Sequence, residues 1–296
     1  MKLPQIKTGS AGALELGAEE VRRYYDENTR LFLSLGQGSE GTIRRAVWGP
    51  GVLHRQHAMR YVDNLIVERL RGLQTGSALP LRVADLGCGV GASLCFIAQQ
   101  LPIAGTGVTI SPAQVELARQ RIAAQGLSSQ LRCVQGDFCN LPAGLGPLDL
   151  AFGIESFIHA PSGAVFFEQA ARLIRPGGLL MVCDDLLAPA ARRQHPEAER
   201  WVQRFRDGWK GFNVIAEQDA HELARQAGFE PVETLDLTPF LEIRRPRDYA
   251  MGALMRCLGW LPISGSYWSM LYGGHALQLA LKRGWIQHLV VTWRRT

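Results

Sequence analysis

The stretch Asp85-Leu86-Gly87-Cys88-Gly89-Val90-Gly91 carries the clearest chemistry in the chain. It follows an apolar run, Leu81 to Leu86, and opens into the helical pattern Ala92 to Leu101. Glycines at alternate positions let a backbone turn sharply and come close to a ligand, and the unpaired N–H groups that begin the next helix point to the same place. A loop of that kind suits a nucleotide-like molecule. Asp85 narrows the choice, because a carboxylate two residues before the first glycine repels a pyrophosphate and attracts a ligand bearing an ammonium group. Gly87, Gly89 and Ala92 also fit the dinucleotide pattern G-x-G-x-x-A, but that pattern calls for an acid about twenty residues on, where the next strand ends in Thr109.

A second constellation, Glu155 and His159, follows the fourth predicted strand and offers acid/base chemistry. A four-residue spacing puts both on one face if a helical turn begins there. Glu155 acting as a ligand for an amino group, and His159 as a helix cap, remain alternatives.

These residues need a scaffold, and the chain alternates strand and helix patterns in a way that builds one. Strands are predicted at 81–86, 104–109, 131–135, 148–153, 178–183, 230–237 and 286–294, with helices at 92–101, 112–125, 162–174 and 217–227 between them. Ser111-Pro112 reads as a helix start, and Arg175-Pro176-Gly177-Gly178 as a helix end turning into a strand. Alternation of this type gives an α/β fold, a Rossmann-like doubly wound sheet of seven mostly parallel strands with ligands at the strands' carboxyl ends. Helices at about 18–35 and 55–71 precede the core, a looser helical segment covers 190–209, and residues 238–285 form an insertion. The implied organisation is an N-terminal helical lid (1–79), a ligand-binding core (80–237), a C-terminal helical cap over the substrate (238–285) and the last core strand (286–296).

Composition sets limits. The 296 residues carry a formal charge of +5, but the arginines are scattered among acids and give no stripe for nucleic acid. Arg44-Arg45, Arg192-Arg193 and Arg244-Arg245-x-Arg247 are clusters that would suit a phosphorylated substrate, or are ordinary surface charge. The 6 cysteines include no C-x-x-C pair and fall mostly on apolar positions, as buried thiols in a reducing compartment do. No apolar leader segment follows Lys2 and Lys7, so the expected location is the cytoplasm. Residues 257–281 lack Lys, Arg, Asp and Glu, yet Gly259, Pro262, Gly265, Gly273 and Gly274 interrupt them; the expectation is two short helices over an apolar pocket, or plain core, rather than a membrane span.

Several segments together resemble class I S-adenosylmethionine-dependent methyltransferases, in the branch of sterol and tocopherol C-methyltransferases, cyclopropane-fatty-acid enzymes and similar prenyl C-methyltransferases. They are Asp85 to Gly91, Gly107-Val108-Thr109-Ile110-Ser111-Pro112-Ala113-Gln114, Gly136-Asp137-Phe138, Glu155-Ser156-Phe157-Ile158-His159-Ala160-Pro161, Arg175 to Gly178, and Ala227-Gly228-Phe229. Many class I enzymes hold the cofactor ribose with an acid after the second strand; in the branch resembled here Thr109 and Gln114 take its place with neutral hydrogen-bonding groups. The resemblance implies that the donor, and its product S-adenosylhomocysteine, lie along Asp85, Gly87, Cys88, Gly89, Thr109, Ile110, Gln114, Gly136, Asp137, Phe138 and Ile154. Asp137 would accept from the adenine amino group, unless it caps a helix, and Phe138 would cover the ring. Tyr24 and Tyr25 resemble the tyrosines of a helix that closes over the cofactor, with Tyr25, Glu155 and His159 at the transfer end.

The resemblance further implies an apolar small-molecule acceptor: an isoprenoid double bond, in a prenyl diphosphate such as farnesyl diphosphate or a prenylated natural product, with cyclisation after methylation as an option. Methylating an alkene leaves a carbocation, and aromatic faces stabilise cations by roughly 0.5–2 kcal/mol each. Trp48, Phe157, Trp209, Phe240, Trp268 and Tyr272 are the expected lining, with Trp260 and Tyr267 nearby. No protein-held metal is expected; a diphosphate acceptor would bring Mg2+ with it. Competing readings are an O- or N-methyltransferase of an aromatic metabolite, a lipid cyclopropane enzyme, and a cofactor-binding module without catalysis. The long N-terminal helix offers a face for a homo-oligomer.

Overall fold

The computed structural model describes residues 11–35, 44–74, 80–189, 191, 196–243, 252 and 266–296. Two helices, α1 (Ala11–Leu35) and α2 (Arg55–Leu73), precede the alternating core. That core runs β1 (Leu81–Leu86), α3 (Ala92–Gln100), β2 (Ile103–Thr109), α4 (Pro112–Ala124), β3 (Leu131–Gln135), β4 (Leu148–Ile154), α5 (Gly163–Leu173) and β5 (Ile174–Leu187). It closes with α6 (Pro196–Trp209), α7 (Glu217–Gln226), β6 (Phe229–Asp236), α8 (Ser266–Lys282) and β7 (Ile286–Arg295).

The seven strands form one sheet in the order β3-β2-β1-β4-β5-β7-β6. The first five run parallel, and β7 lies antiparallel between β5 and β6. Parallel strands covered on both faces read as nearly unbroken apolar runs, and in β1 every residue but Arg82 is buried. One core packs α2, α3, α4, α6 and α8 against one face, around Ile66, Leu70, Ile97, Ile122, Phe205 and Ala276. The second packs α5 and α7 against the other, around Phe166, Phe167, Ala220 and Trp293. Side-chain caps place helix starts: Ser111 Oγ accepts from Gln114 N at 3.2 Å ahead of Pro112, and Ser162 Oγ accepts from Val165 N at 3.4 Å.

The order reverses between β1 and β4, so the crevice of an open α/β sheet falls at their carboxyl ends, where Asp85 and Ile154 stand. α1 is seated over that end, with Ser111 Oγ donating to Asp26 Oδ1 at 2.5 Å and Gln114 Nε2 to Thr29 Oγ1 at 3.1 Å. On the same side α6 and α8 cross closely: a Cβ on Gly208 would stand 2.6 Å from Gly273 Cα, so only glycine permits the contact.

Some elements differ from expectation. α1 begins at Ala11 rather than near residue 18, and β5 spans 14 residues rather than six because it pairs with β7 from Leu179 to Leu187 and with β4 from Ile174. The described C-terminal part of the insertion is a continuous 17-residue helix, α8, with Gly273 and Gly274 accommodated inside it against Trp209; residues 253–265, where the other expected helix would fall, lie outside the described residues. Trp260, the side chain of Tyr267 and the clusters Arg192-Arg193 and Arg244 to Arg247 lie outside the described residues. Among the described residues no helix is long and apolar enough to cross a membrane.

Candidate active site

At the tip of β1 the chain turns through Gly87 with φ +88°, a left-handed backbone natural to glycine; a Cβ there would stand 2.4 Å from Ser156 Cβ. Ser156 Oγ donates to Leu86 O at 2.6 Å, tying the tip of β4 to that of β1. Beside this loop opens a cleft of roughly 430 Å3, mouth included, lined by Arg44, Asp85, Gly87, Cys88, Gly89, Val90, Ala92, Ser93 and Ile154. Asp85 is only 3% exposed, and burial with the neighbouring Asp63 pushes its carboxyl well above the usual range while Arg44 pulls it back. Among the described residues none hydrogen-bonds to the Asp85 carboxylate. A buried acid of this kind fits a ligand that arrives with its own ammonium group.

Arg44 also lines the cleft. Both of its Nη atoms bind the fully buried Asp63, and Nη1 also donates to Ser93 Oγ at 3.1 Å. Asp63 takes a further bond from Arg60 Nη1 at 3.0 Å.

Toward β2 and β3, Thr109 Oγ1 donates to Gln114 Oε1 at 2.7 Å, and Gln114 is 4% exposed because α1 covers it. Gln114 is therefore part of the interior rather than helix surface. Ile110 is half-buried next to this pair, and Gly136 N donates to Thr109 O at 3.0 Å. Asp137 Oδ1 accepts from Cys139 N at 2.7 Å, a local turn cap, and burial raises its pKa. Phe138 stacks edge-on to Phe166 at 5.7 Å, and its Cε1 would lie 3.6 Å from a Cβ on Gly87, so its ring borders the glycine loop.

The region after β4 is built differently. Glu155 sits at φ +51°, an uncommon conformation for a side-chain-bearing residue, directly after β4. Its Oε1 accepts from Arg45 N at 3.0 Å and from Arg45 Nε at 3.4 Å. Arg45 Nη2 donates to Asp185 Oδ2 at 2.9 Å, and His288 Nδ1 lies 2.9 Å from Arg45 Nη2 and 3.1 Å from Asp185 Oδ1. Burial works against ionisation of Asp185, but Arg45 and His288 hold its carboxyl below the usual value; neighbouring Asp184, buried beside Asp185, is pushed well above it.

His159 occupies a single 3-10 turn, Phe157–His159, so the expected helical face shared with Glu155 does not form; the left-handed Glu155 sets the geometry instead. His159 Nδ1 lies 3.2 Å from Lys210 O, and a carbonyl only accepts, so Nδ1 carries the proton. Nε2 is then bare and accepts from Tyr25 Oη at 2.7 Å. Burial lowers the His159 pKa to about 4, which keeps the ring neutral, and burial raises that of Tyr25, which keeps it a donor. Tyr24 stacks edge-on to Tyr25 at 5.3 Å.

The expected aromatic lining is dispersed. Trp48 and Phe240 are joined through Trp48 N and Phe240 O at 2.8 Å. Trp209 Nε1 donates to Met270 O at 3.1 Å in the α6–α8 crossing, and Trp268 stacks on Tyr272 at 5.4 Å along α8. Phe157 is 1% exposed and packs on Phe166 and Phe167, which makes it core rather than lining. Arg44 and Arg45, read from sequence as suited to a phosphorylated substrate or as ordinary surface charge, are instead largely buried and paired with Asp63 and with Glu155 and Asp185. Sequence reasoning missed Asp63, Asp184, Asp185 and His288; the consecutive acids Asp184-Asp185 in a buried strand were the one signal available for them.

Residues 83–178 match the family described as a methyltransferase domain. The O-methyltransferase resE of Aspergillus sclerotiorum is 31% identical over 227 residues, covering 76% of this chain and 81% of that protein. The chain is a class I S-adenosylmethionine-dependent methyltransferase. A probable chloroplastic tocopherol O-methyltransferase of Oryza sativa subsp. japonica is 27% identical to this methyltransferase over 222 residues, 73% of this chain but 61% of that longer relative. The methyltransferase shares its fold with geranyl diphosphate C-methyltransferase from Streptomyces coelicolor A3(2), solved with Mg2+, geranyl diphosphate and S-adenosyl-L-homocysteine: TM-score 0.65, 16% identity, 95% of this chain and 98% of that one. Among the described residues of the methyltransferase no group of three His, Cys, Asp or Glu is placed to hold a metal ion.

Proposed function

We propose that this methyltransferase methylates a carbon of an isoprenoid double bond, in a prenyl diphosphate or a prenylated natural product. The observation that carries the reading is the neutral Tyr25–His159 pair set near a fixed Glu155. S-adenosylmethionine, when bound, supplies an electrophilic methyl group on a sulfonium; Asp85 and the glycine loop hold its amino-acid end, and α1 excludes water. An alkene that gains a methyl becomes a carbocation and must then lose a proton. Glu155 offers negative charge where that cation develops, and with Asp185 it outnumbers the single cation Arg45.

The pair then favours carbon over oxygen. Tyr25 can take a proton as its own passes to His159 Nε2, and the imidazolium is steadied by Lys210 O. A base whose pKa is lowered to about 4 is feeble toward a phenol of pKa about 10, a gap of roughly 8 kcal/mol. A C–H beside a carbocation is acidic enough to yield to it. Trp209, Trp268 and Tyr272, on α6 and α8, supply apolar cover. For a diphosphate acceptor, Mg2+ would meet the headgroup, since Arg44 and Arg45 are already paired.

The names of both curated relatives favour O-methylation, and the second reading is accordingly an O-methyltransferase of an aromatic metabolite, with an N-methyltransferase as its variant. Incubation with labelled donor and a panel of prenyl diphosphates and prenylated phenols, with and without Mg2+, separates the two. Label on a new C–CH3 group is expected; label found only on O or N of the aromatic acceptors would overturn the carbon reading.

A further inference from the structure

We propose that His288, in the last strand of the chain, is a positioning residue for methyl transfer: through Asp185 and Arg45 it holds one carboxylate oxygen of Glu155 and leaves the other for the reacting end of the acceptor. The proposal rests on Glu155 acting at that end, and it holds whichever atom of the acceptor takes the methyl.

Sheet register brings the row together. Glu155 N donates to Cys183 O at 2.8 Å, which joins the end of β4 to β5. Asp185, two residues further along β5, is the direct cross-strand partner of His288 on β7, so Cys183, Asp185 and His288 share one face. Arg45 lies across that face. Its N and Nε meet Glu155 Oε1, and its Nη2 meets Asp185 Oδ2. Asp185 Oδ1 faces His288 Nδ1 at 3.1 Å, and the same Nδ1 lies 2.9 Å from Arg45 Nη2. Nδ1 either donates to Asp185 or accepts from Arg45, and in both forms it is the atom that closes the link. The residue that carries it is pinned: His288 is 1% exposed, its N donates to Thr238 Oγ1 at 2.8 Å and its O accepts from Leu237 N at 2.9 Å. Among the described residues no hydrogen bond goes to Glu155 Oε2, and the Glu155 side chain is 13% exposed. The row of contacts therefore ends in one oxygen open to the site.

Packing between two strands is the competing role for a buried histidine, and shape-matched variants separate the two. An asparagine amide stands close to where Nδ1 does, whereas a glutamine amide reaches toward Nε2, which faces Cys183 Sγ at 3.4 Å. Rates would be taken on the full chain with labelled S-adenosylmethionine and the panel acceptor that wild type methylates fastest, per site counted by S-adenosylhomocysteine calorimetry. His288→Leu is expected to lower kcat roughly 10- to 100-fold, with acceptor KM and donor affinity within about threefold. His288→Asn is expected to recover most of that loss, and His288→Gln little of it. In a Glu155→Gln background, His288→Leu is expected to change kcat less than about twofold, because the charge it positions is gone. Crystals of His288→Leu with S-adenosylhomocysteine should show Glu155 released from Arg45, a readout that needs no acceptor. Glu155 still bound to Arg45 there, equal rates in the Asn and Gln variants, or additive losses in the double variant overturn the proposal. Wild-type turnover by His288→Leu overturns this proposal alone, whereas wild-type turnover by Glu155→Gln overturns with it the role of Glu155 on which it rests.

Discussion

The two parts of the candidate site, the half proposed to hold the donor and the half proposed to carry the transfer, are built on different principles. The donor half is local: Asp85, Gly87 and Cys88 fall within four residues of one strand–loop–helix turn, and Thr109, Ser111 and Gln114 within six of the next. The transfer half is assembled from afar, with Arg45 bonded to Glu155 across 110 residues, to Asp185 across 140 and to His288 across 243. A local turn can be conserved in form by a few residue types, whereas the distant cluster depends on the whole sheet being closed. Donor recognition and acceptor chemistry should therefore respond separately to substitution.

The largest effect is expected from Asp63→Ala, which strips the shared counter-ion from Arg44 and Arg60. Removing one partner from a buried ion pair costs about 3–5 kcal/mol, so chemical denaturation should show a loss of that order together with weaker donor binding. A change under 1 kcal/mol would show that this wall is not held by charge. Next comes Glu155→Gln, expected to lower turnover by roughly 10²- to 10⁴-fold while donor affinity by calorimetry stays within about threefold. Parallel losses in both quantities would erase the distinction between the halves.

Acid titration should sharpen it. His159 has a folded pKa lowered to about 4 from a model-compound value of 6.5, so below 6.5 the unfolded chain binds the extra proton and the folded one does not. Its contribution is intact above pH 6.5 and falls as pH drops toward about 4, reaching roughly 3 kcal/mol. Urea melts of wild type and His159→Gln between pH 7 and 4 should diverge by that order; superimposable profiles would remove the neutral, buried assignment. The smallest change is Ser111→Ala, which removes the cap of α4 and its link to α1 and should cost about 1 kcal/mol with a modest fall in donor affinity. An unchanged affinity would mean that the seating of α1 does not govern the donor half.

What the sequence made legible follows the same division. The inner parallel strands were readable because strands covered on both faces are largely apolar, and the glycine loop because its residue types have few other uses. Thr109 and Gln114 were readable as a pair, but the burial of Gln114 was not, since it comes from Thr29 on a helix 85 residues away. Helical spacing of Glu155 and His159 was a sound inference from local periodicity, defeated by a left-handed backbone at a glutamate that no local signal announces. The role of Arg45 was hidden for a simpler reason: its charge is visible in the sequence, its partners are set by strand order.

That order has a consequence for how the molecule is made. β7 is synthesised last of the strands yet fills the place between β5 and β6. Until residues 286–295 leave the ribosome, β6 has no neighbour in the sheet, the outer edge of β5 stays bare, and His288 is missing from the cluster around Arg45. Nascent chains should therefore complete the β1–β4 region first and remain dependent on shielding of that raw edge until the final strand slots in.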